Sequence, residues 1–174
     1  MKTLLACLAL TLALPCVAQQ KSAPVTLKSL LLQQLRETHN EKNWFVSGKE
    51  ATAGLTPEQA AWSDGKNHSV GQLVQHLVFW DSHALAQFKG EKAANPGDNT
   101  ETFNFDPKNW ESAVQQFDQV MTQLEQFVSS ADDAKLQKIA PTVARIAQHN
   151  AYHIGEIVMV RKEHGVWNPD NGVK

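Results

Sequence analysis

Apolar residues recur at three- and four-residue intervals through most of the chain, and no stretch alternates with period two for long enough to predict a strand. The first predicted helix covers residues 27–47. Leu30, Leu31, Leu35 and, further on, Trp44 and Phe45 form its apolar stripe, with Gln33, Arg36, Glu37 and Glu41 on the wet side. Residues 54–59 read as a break and a short helical turn, with Thr56 as N-cap and Pro57 at the first helical position. Trp62 is expected to close over the core from this connection. The second long helix starts at Ser69, where Ser69-Val70-Gly71-Gln72 has the spacing of a capping box, and stops near Gly90. Val70, Leu73, Val74, Leu77 and Trp80 are its buried stripe. Residues 93–106 carry Pro96, Gly97, Asp98 and Asn99 without a period and read as a long loop. Asp106-Pro107 opens the third helix, whose stripe is Trp110, Val114, Phe117, Val120, Met121, Leu124 and Phe127. The fourth is expected at 142–163, starting after Pro141 and ending at His164-Gly165, with Val143, Ile146, Ala147, Ile154, Ile157 and Val158 inward.

Four long amphipathic helices predict an all-α four-helix bundle with a long loop between helices 2 and 3. The first 18 residues stand apart: Lys2, an apolar run from Thr3 to Leu14, then Pro15-Cys16-Val17-Ala18. That is the pattern of a secretory signal peptide cut after Ala18, and the run is too short to span a bilayer. A lipid anchor is the rival, but Leu14 and Pro15 before Cys16 fit such a signal poorly, and Leu4-Leu5-Ala6-Cys7, which fits better locally, leaves almost no hydrophobic segment before the cysteine. The expectation is an exported protein, periplasmic or secreted, with residues 19–174 as one domain. Both cysteines lie in the leader. The mature chain is then without thiols, and a transition-metal site has only histidine, carboxylate and water to draw on. With 16 Lys+Arg against 18 Asp+Glu the net charge is −2, and loss of Lys2 makes it −3. An acidic chain without a basic stripe is a poor nucleic-acid binder. No other hydrophobic stretch approaches the length of a membrane span.

Three histidines are the candidate chemistry. His149 and His153 sit one helical turn apart, so both imidazoles can reach one ion from rigid backbone. His76 lies on the second helix and would join them if the two helices pack side by side. Three imidazoles plus a water is the composition of a catalytic zinc site; half-exposed surface histidines and a satisfied core histidine are the plainer alternative. Glu156 shares the strip and is a candidate general base, a fourth ligand or a surface ion-pair partner. Arg145, one turn earlier, is a candidate anion anchor or carboxylate partner. His83 is too far along its helix from His76 to share an ion and reads as solvated or as a substrate contact. His39, on the first helix, could face the site but reads first as unconnected to it, and His68 and His164 carry no assigned role. The five tryptophans read mainly as core, though Trp80, one turn after His76, could line a cavity.

Two segments also carry a family resemblance. Ser69-Val70-Gly71-Gln72-Leu73-Val74-Gln75-His76-Leu77-Val78-Phe79-Trp80-Asp81 resembles the second-helix motif of the DinB-like superfamily. His149-Asn150-Ala151-Tyr152-His153-Ile154-Gly155-Glu156-Ile157-Val158 resembles its fourth-helix motif, with Glu156 where glutamine is usual. The resemblance implies a four-helix bundle holding a divalent metal, zinc or nickel, on His76, His149 and His153. Its members include thiol S-transferases using bacillithiol or mycothiol, a mycothiol-dependent isomerase and metal-dependent hydrolases, and homodimers are common among them. Low-molecular-weight thiols are cytoplasmic reagents, so export argues against S-transfer. The expectation is therefore a metal-dependent hydrolase acting on a small molecule whose identity the sequence does not give. A thiol S-transferase and a non-catalytic metal- or ligand-binding bundle are the alternatives.

Overall fold

The computed structural model describes residues 24–172, so the leader and both cysteines lie outside the described residues. Six α-helices follow in order: α1 (Leu27–His39), α2 (Gly48–Thr52), α3 (Pro57–Ala61), α4 (Val70–Lys89), α5 (Trp110–Ser130) and α6 (Asp133–Glu163). Short 3-10 turns at Asn99–Phe103, Pro107–Asn109 and Pro169–Asn171 complete the secondary structure, and no strand occurs among the described residues. The all-α bundle is as the apolar periodicity predicts. No described helix is long and apolar enough to cross a membrane.

The four long helices form a ring in which α1 and α4 each pack against both α5 and α6. α5 and α6 are joined by Ala131 and Asp132 alone, yet they lie across the diagonal. The core runs the length of the bundle, with Leu35, Leu73, Leu77, Met121, Leu124, Leu136, Ile154 and Ile157 among its fully buried side chains. At about 1.5–3 kcal/mol for each large aliphatic side chain, this burial is the main force holding the ring closed.

Where sequence chemistry is local, the helix ends match expectation. Thr56 and Ser69 form capping boxes with Gln59 and Gln72, and Gly90 closes α4 in the left-handed conformation (φ 75°). Two boundaries differ. α1 ends at His39 rather than near 47, and Trp44 is 98% exposed. The reason lies in Ser47-Gly48-Lys49-Glu50, whose Ser47 hydroxyl accepts the Glu50 amide and starts a separate helix. α6 begins nine residues before the expected start, with Pro141 inside it. Asp132 caps it by accepting the Lys135 amide at 2.8 Å, and Leu136, Ile139 and Val143 continue one buried stripe through the proline. An interior proline costs about 3 kcal/mol, less than the burial of those three side chains together. The carbonyl it frees belongs to Gln137, an exposed residue that water can reach. Asp106-Pro107 likewise opens a 3-10 turn that leads into α5 rather than α5 itself.

Candidate metal centre

α4 and α6 pack side by side, which brings His76 from one against His149 and His153 from the other. The Nε2 atom of His149 lies 3.2 Å from Nε2 of His76 and 3.1 Å from Nε2 of His153. The ligand atoms of the three all lie within 4.8 Å of one another. Among the described residues, this is the group of three or more metal-ligating side chains that converges.

The outward nitrogens decide what the inward ones offer. His76 Nδ1 lies 2.6 Å from the Thr102 hydroxyl, which itself donates to the Asn99 carbonyl at 2.6 Å. A hydroxyl has one proton, so Thr102 accepts from His76 Nδ1–H, and His76 Nε2 presents its lone pair. His153 donates from Nδ1 to the Glu156 carboxylate at 2.6 Å, which leaves its Nε2 lone pair inward too. His149 Nε2 faces both. A single proton on it would satisfy one neighbour and leave the other lone pair facing nitrogen. A shared cation satisfies all three. Nitrogens bound tetrahedrally at about 2.05 Å stand about 3.3 Å apart, close to the two short edges observed. The residues therefore fit a divalent ion.

Burial, then the neighbouring His153, His149 and His68, depresses the His76 pKa to about 3. Burial, then His153, takes His149 to about 4, against the opposing pull of Asn150 and Glu156. Both rings are thus neutral at physiological pH, the form that ligates metals.

The surroundings are aromatic and partly open. Phe103 stacks on His76 (ring centroids 4.1 Å apart), and His68 stacks on the other face of Phe103 (3.8 Å). Trp80 stands edge-on to His76 and donates from Nε1 to Asn99. A cleft of about 560 Å³ beside α6 is lined by Lys66, His68, Tyr152, Glu156 and Glu163 among others. Tyr152 lies within hydrogen-bonding reach of Glu156, whose carboxylate raises the phenol's pKa. A shallower groove of about 430 Å³ runs along the α4 side, lined by Trp80, His83, Thr142, Arg145 and His149.

The structure thus brings His76, His149 and His153 together and places Glu156 behind His153, on the far side of the ring from Nε2. Arg145 is exposed in the groove beside His149. His83 is committed elsewhere, with Nδ1 2.6 Å from the Ala94 carbonyl and Nε2 2.9 Å from Gln87. His39 is buried at a separate position between Glu125 and Asp118. His164 stacks on the partly buried Trp62. The tryptophans divide: Trp110 and Trp167 are core, Trp80 lines the groove, and Trp44 is solvated.

Sequence reasoning missed Thr102, Phe103 and Tyr152. Tyr152 stands next to His153 and carries a recognisable hydroxyl. Thr102 and Phe103 sit in an aperiodic loop, and only the Asn99–Phe103 turn brings them over His76.

A family model described as the DinB superfamily matches residues 49–157, more than half of the chain. No curated protein and no solved structure is significantly similar to it.

Proposed function

The chain belongs to the DinB superfamily, and on that premise we propose that it is a divalent-metal-dependent enzyme, a hydrolase acting on a small molecule. The observation that carries this reading is the meeting of three inward-facing Nε2 lone pairs beside a groove that His149 lines. His76, His149 and His153 are the proposed ligands, and three imidazoles suit zinc and nickel alike. When bound, such an ion supplies Lewis-acid polarisation of an electrophile and a lowered pKa for water. The rest is assigned to the chain. Thr102 and Glu156 hold two of the imidazoles in the required tautomer. Glu156 also lines the cleft with Tyr152, but it lies behind His153 and away from the three Nε2 atoms, so its assigned role is to orient His153 rather than to be the general base. Arg145 is the proposed anchor for an anionic substrate group entering along the groove.

Two considerations favour turnover over passive binding, and hydrolysis over thiol chemistry. Glu156 is engaged by His153 Nδ1 rather than standing beside the three Nε2 atoms, so it does not close a fourth position. The leader-like residues 1–18 point to export, into a compartment where small thiols are scarce.

Elemental analysis of the purified protein, with His153→Ala alongside, tests the reading. The expected result is near-stoichiometric zinc or nickel in the parent and its loss in a folded variant, followed by metal-dependent cleavage in an ester and amide panel. Absence of bound metal from both, even after incubation with excess ion, overturns it.

A further inference from the structure

Two of the three imidazoles have an evident partner behind them, Thr102 for His76 and Glu156 for His153. His149 turns Nε2 toward the other two rings, which leaves Nδ1 for an outer contact. Asn150 follows His149 on α6 with a buried side-chain carbonyl that has no partner, and it pulls the pKa of the His149 ring upward.

Asn150 is fully buried (0% exposed) and its amide is firmly oriented. Nδ2 donates to Asp81 Oδ2 at 3.0 Å and to Met121 Sδ at 3.3 Å. The Met121 thioether can only accept and Asp81 accepts through Oδ2, so the NH2 end of the amide faces them. Oδ1 then points away and receives no well-formed hydrogen bond. Asp81 is 1% exposed, and its Oδ1 also lacks a donor. A buried carbonyl is kept without a donor only at a cost. Two apolar side chains would fill this part of the core without orphaned oxygens, so packing alone gives no reason for a carboxylate and an amide here.

Resting on the metal reading above, we propose that Asp81 and Asn150 are positioning residues for the metal centre. Asp81 fixes the Asn150 amide through Nδ2, and Asn150 Oδ1 takes the proton of His149 Nδ1, so that the His149 Nε2 lone pair stays turned toward His76 and His153. Each ligand then has an outer partner contributed by a different part of the fold: a loop hydroxyl, a carboxylate one turn along α6, and a buried amide backed by α4.

The test is Zn2+ affinity by chelator competition, with the visible spectrum of the Co2+-loaded protein, for the parent, Asn150→Ala and Asp81→Asn. Loss of an outer partner costs about tenfold or more in affinity, and that is expected for Asn150→Ala. Asp81→Asn keeps shape and an acceptor but removes the charge that Asp81 carries above about pH 7, so with the assay run above that pH a smaller loss, about threefold or more, is expected. Both should shift the Co2+ ligand-field bands, which a mere packing change would leave in place. Folded variants that bind Zn2+ within about twofold of the parent, with unshifted Co2+ bands, overturn the inference and leave the metal reading standing. A parent protein that binds no Zn2+ overturns the metal reading and the inference with it. Should Asn150→Ala fail to fold, Asp81→Asn decides alone.

Discussion

His39 donates from both ring nitrogens, Nδ1 to Glu125 at 2.7 Å and Nε2 to Asp118 at 3.0 Å, while only 2% exposed. Burial pulls its pKa down, but the two carboxylates outweigh it and the net shift is upward from 6.5. Its contribution to stability is therefore complete below about pH 6.5 and is lost as pH rises through the folded-state pKa. Asp81 shifts in the other chemical sense with the same consequence. Burial raises its carboxyl from 3.8 to about 7, with Asn150 and the His39 charge only partly opposing. Burying it is free of charge-desolvation below about pH 4, and the penalty grows until it is complete above about pH 7. Metal-free protein should thus lose stability as pH rises above about 7, through His39, by chemical denaturation at each pH. At lower pH the depressed pKa values of His76 and His149 act in the opposite sense and offset Asp81. Asp81→Asn should be more stable than the parent at the alkaline end, by on the order of 1–3 kcal/mol, and indistinguishable near pH 4. A parent whose stability rises above about pH 7 would contradict the His39 assignment, and an Asp81→Asn variant no more stable than the parent there would contradict the Asp81 assignment.

Among the elements, the segment between α4 and α5 shows most clearly what a sequence hides. Its lack of period makes it a loop, which is correct, but the contact that fixes it is not periodic at all. Gly71, in the first turn of α4, has Phe105 against it so closely that a methyl group there would collide with the ring. That ring in turn meets Trp110 edge-on. The docked loop is what carries Thr102 and Phe103 onto His76. Gly71→Ala gains up to about 1 kcal/mol of helix propensity but overpacks a backed aromatic ring, which costs about 1–3 kcal/mol. The expected outcome is a lower Tm together with weaker metal binding; a Tm that rises would show the loop to be compliant. The His149–His153 pair, by contrast, was legible because one helical turn places any two such residues together. Convergence with His76 was legible only as far as four amphipathic helices imply neighbours. Pro141 misled because its cost is local and visible, whereas the burial of Leu136 and Ile139 that outweighs it depends on helices distant in sequence. Trp44 misled in the opposite sense: a large apolar residue at helical spacing counts as core until a new cap at Ser47 removes it from the helix.

For the whole molecule, the core extends through all four long helices and does not depend on the histidine cluster at its edge. The bundle is therefore expected to stay folded when metal is stripped, unlike a zinc finger. An ion that binds only the folded state adds RT ln(1 + [L]/Kd), about 2.7 kcal/mol at a hundredfold excess over Kd. Saturating Zn2+ should raise the Tm of the parent by several degrees and leave that of His153→Ala unchanged; cooperative unfolding on chelation would mean that the cluster is structural. The spacing of the ligands along the chain has a further consequence. His149 and His153 are four residues apart, but His76 precedes His149 by 73. An unfolded or half-synthesised chain can offer an ion no more than a two-toothed grip. The third donor arrives only when α4 and α6 have met, so tight chelation reports that the chain has found its native topology.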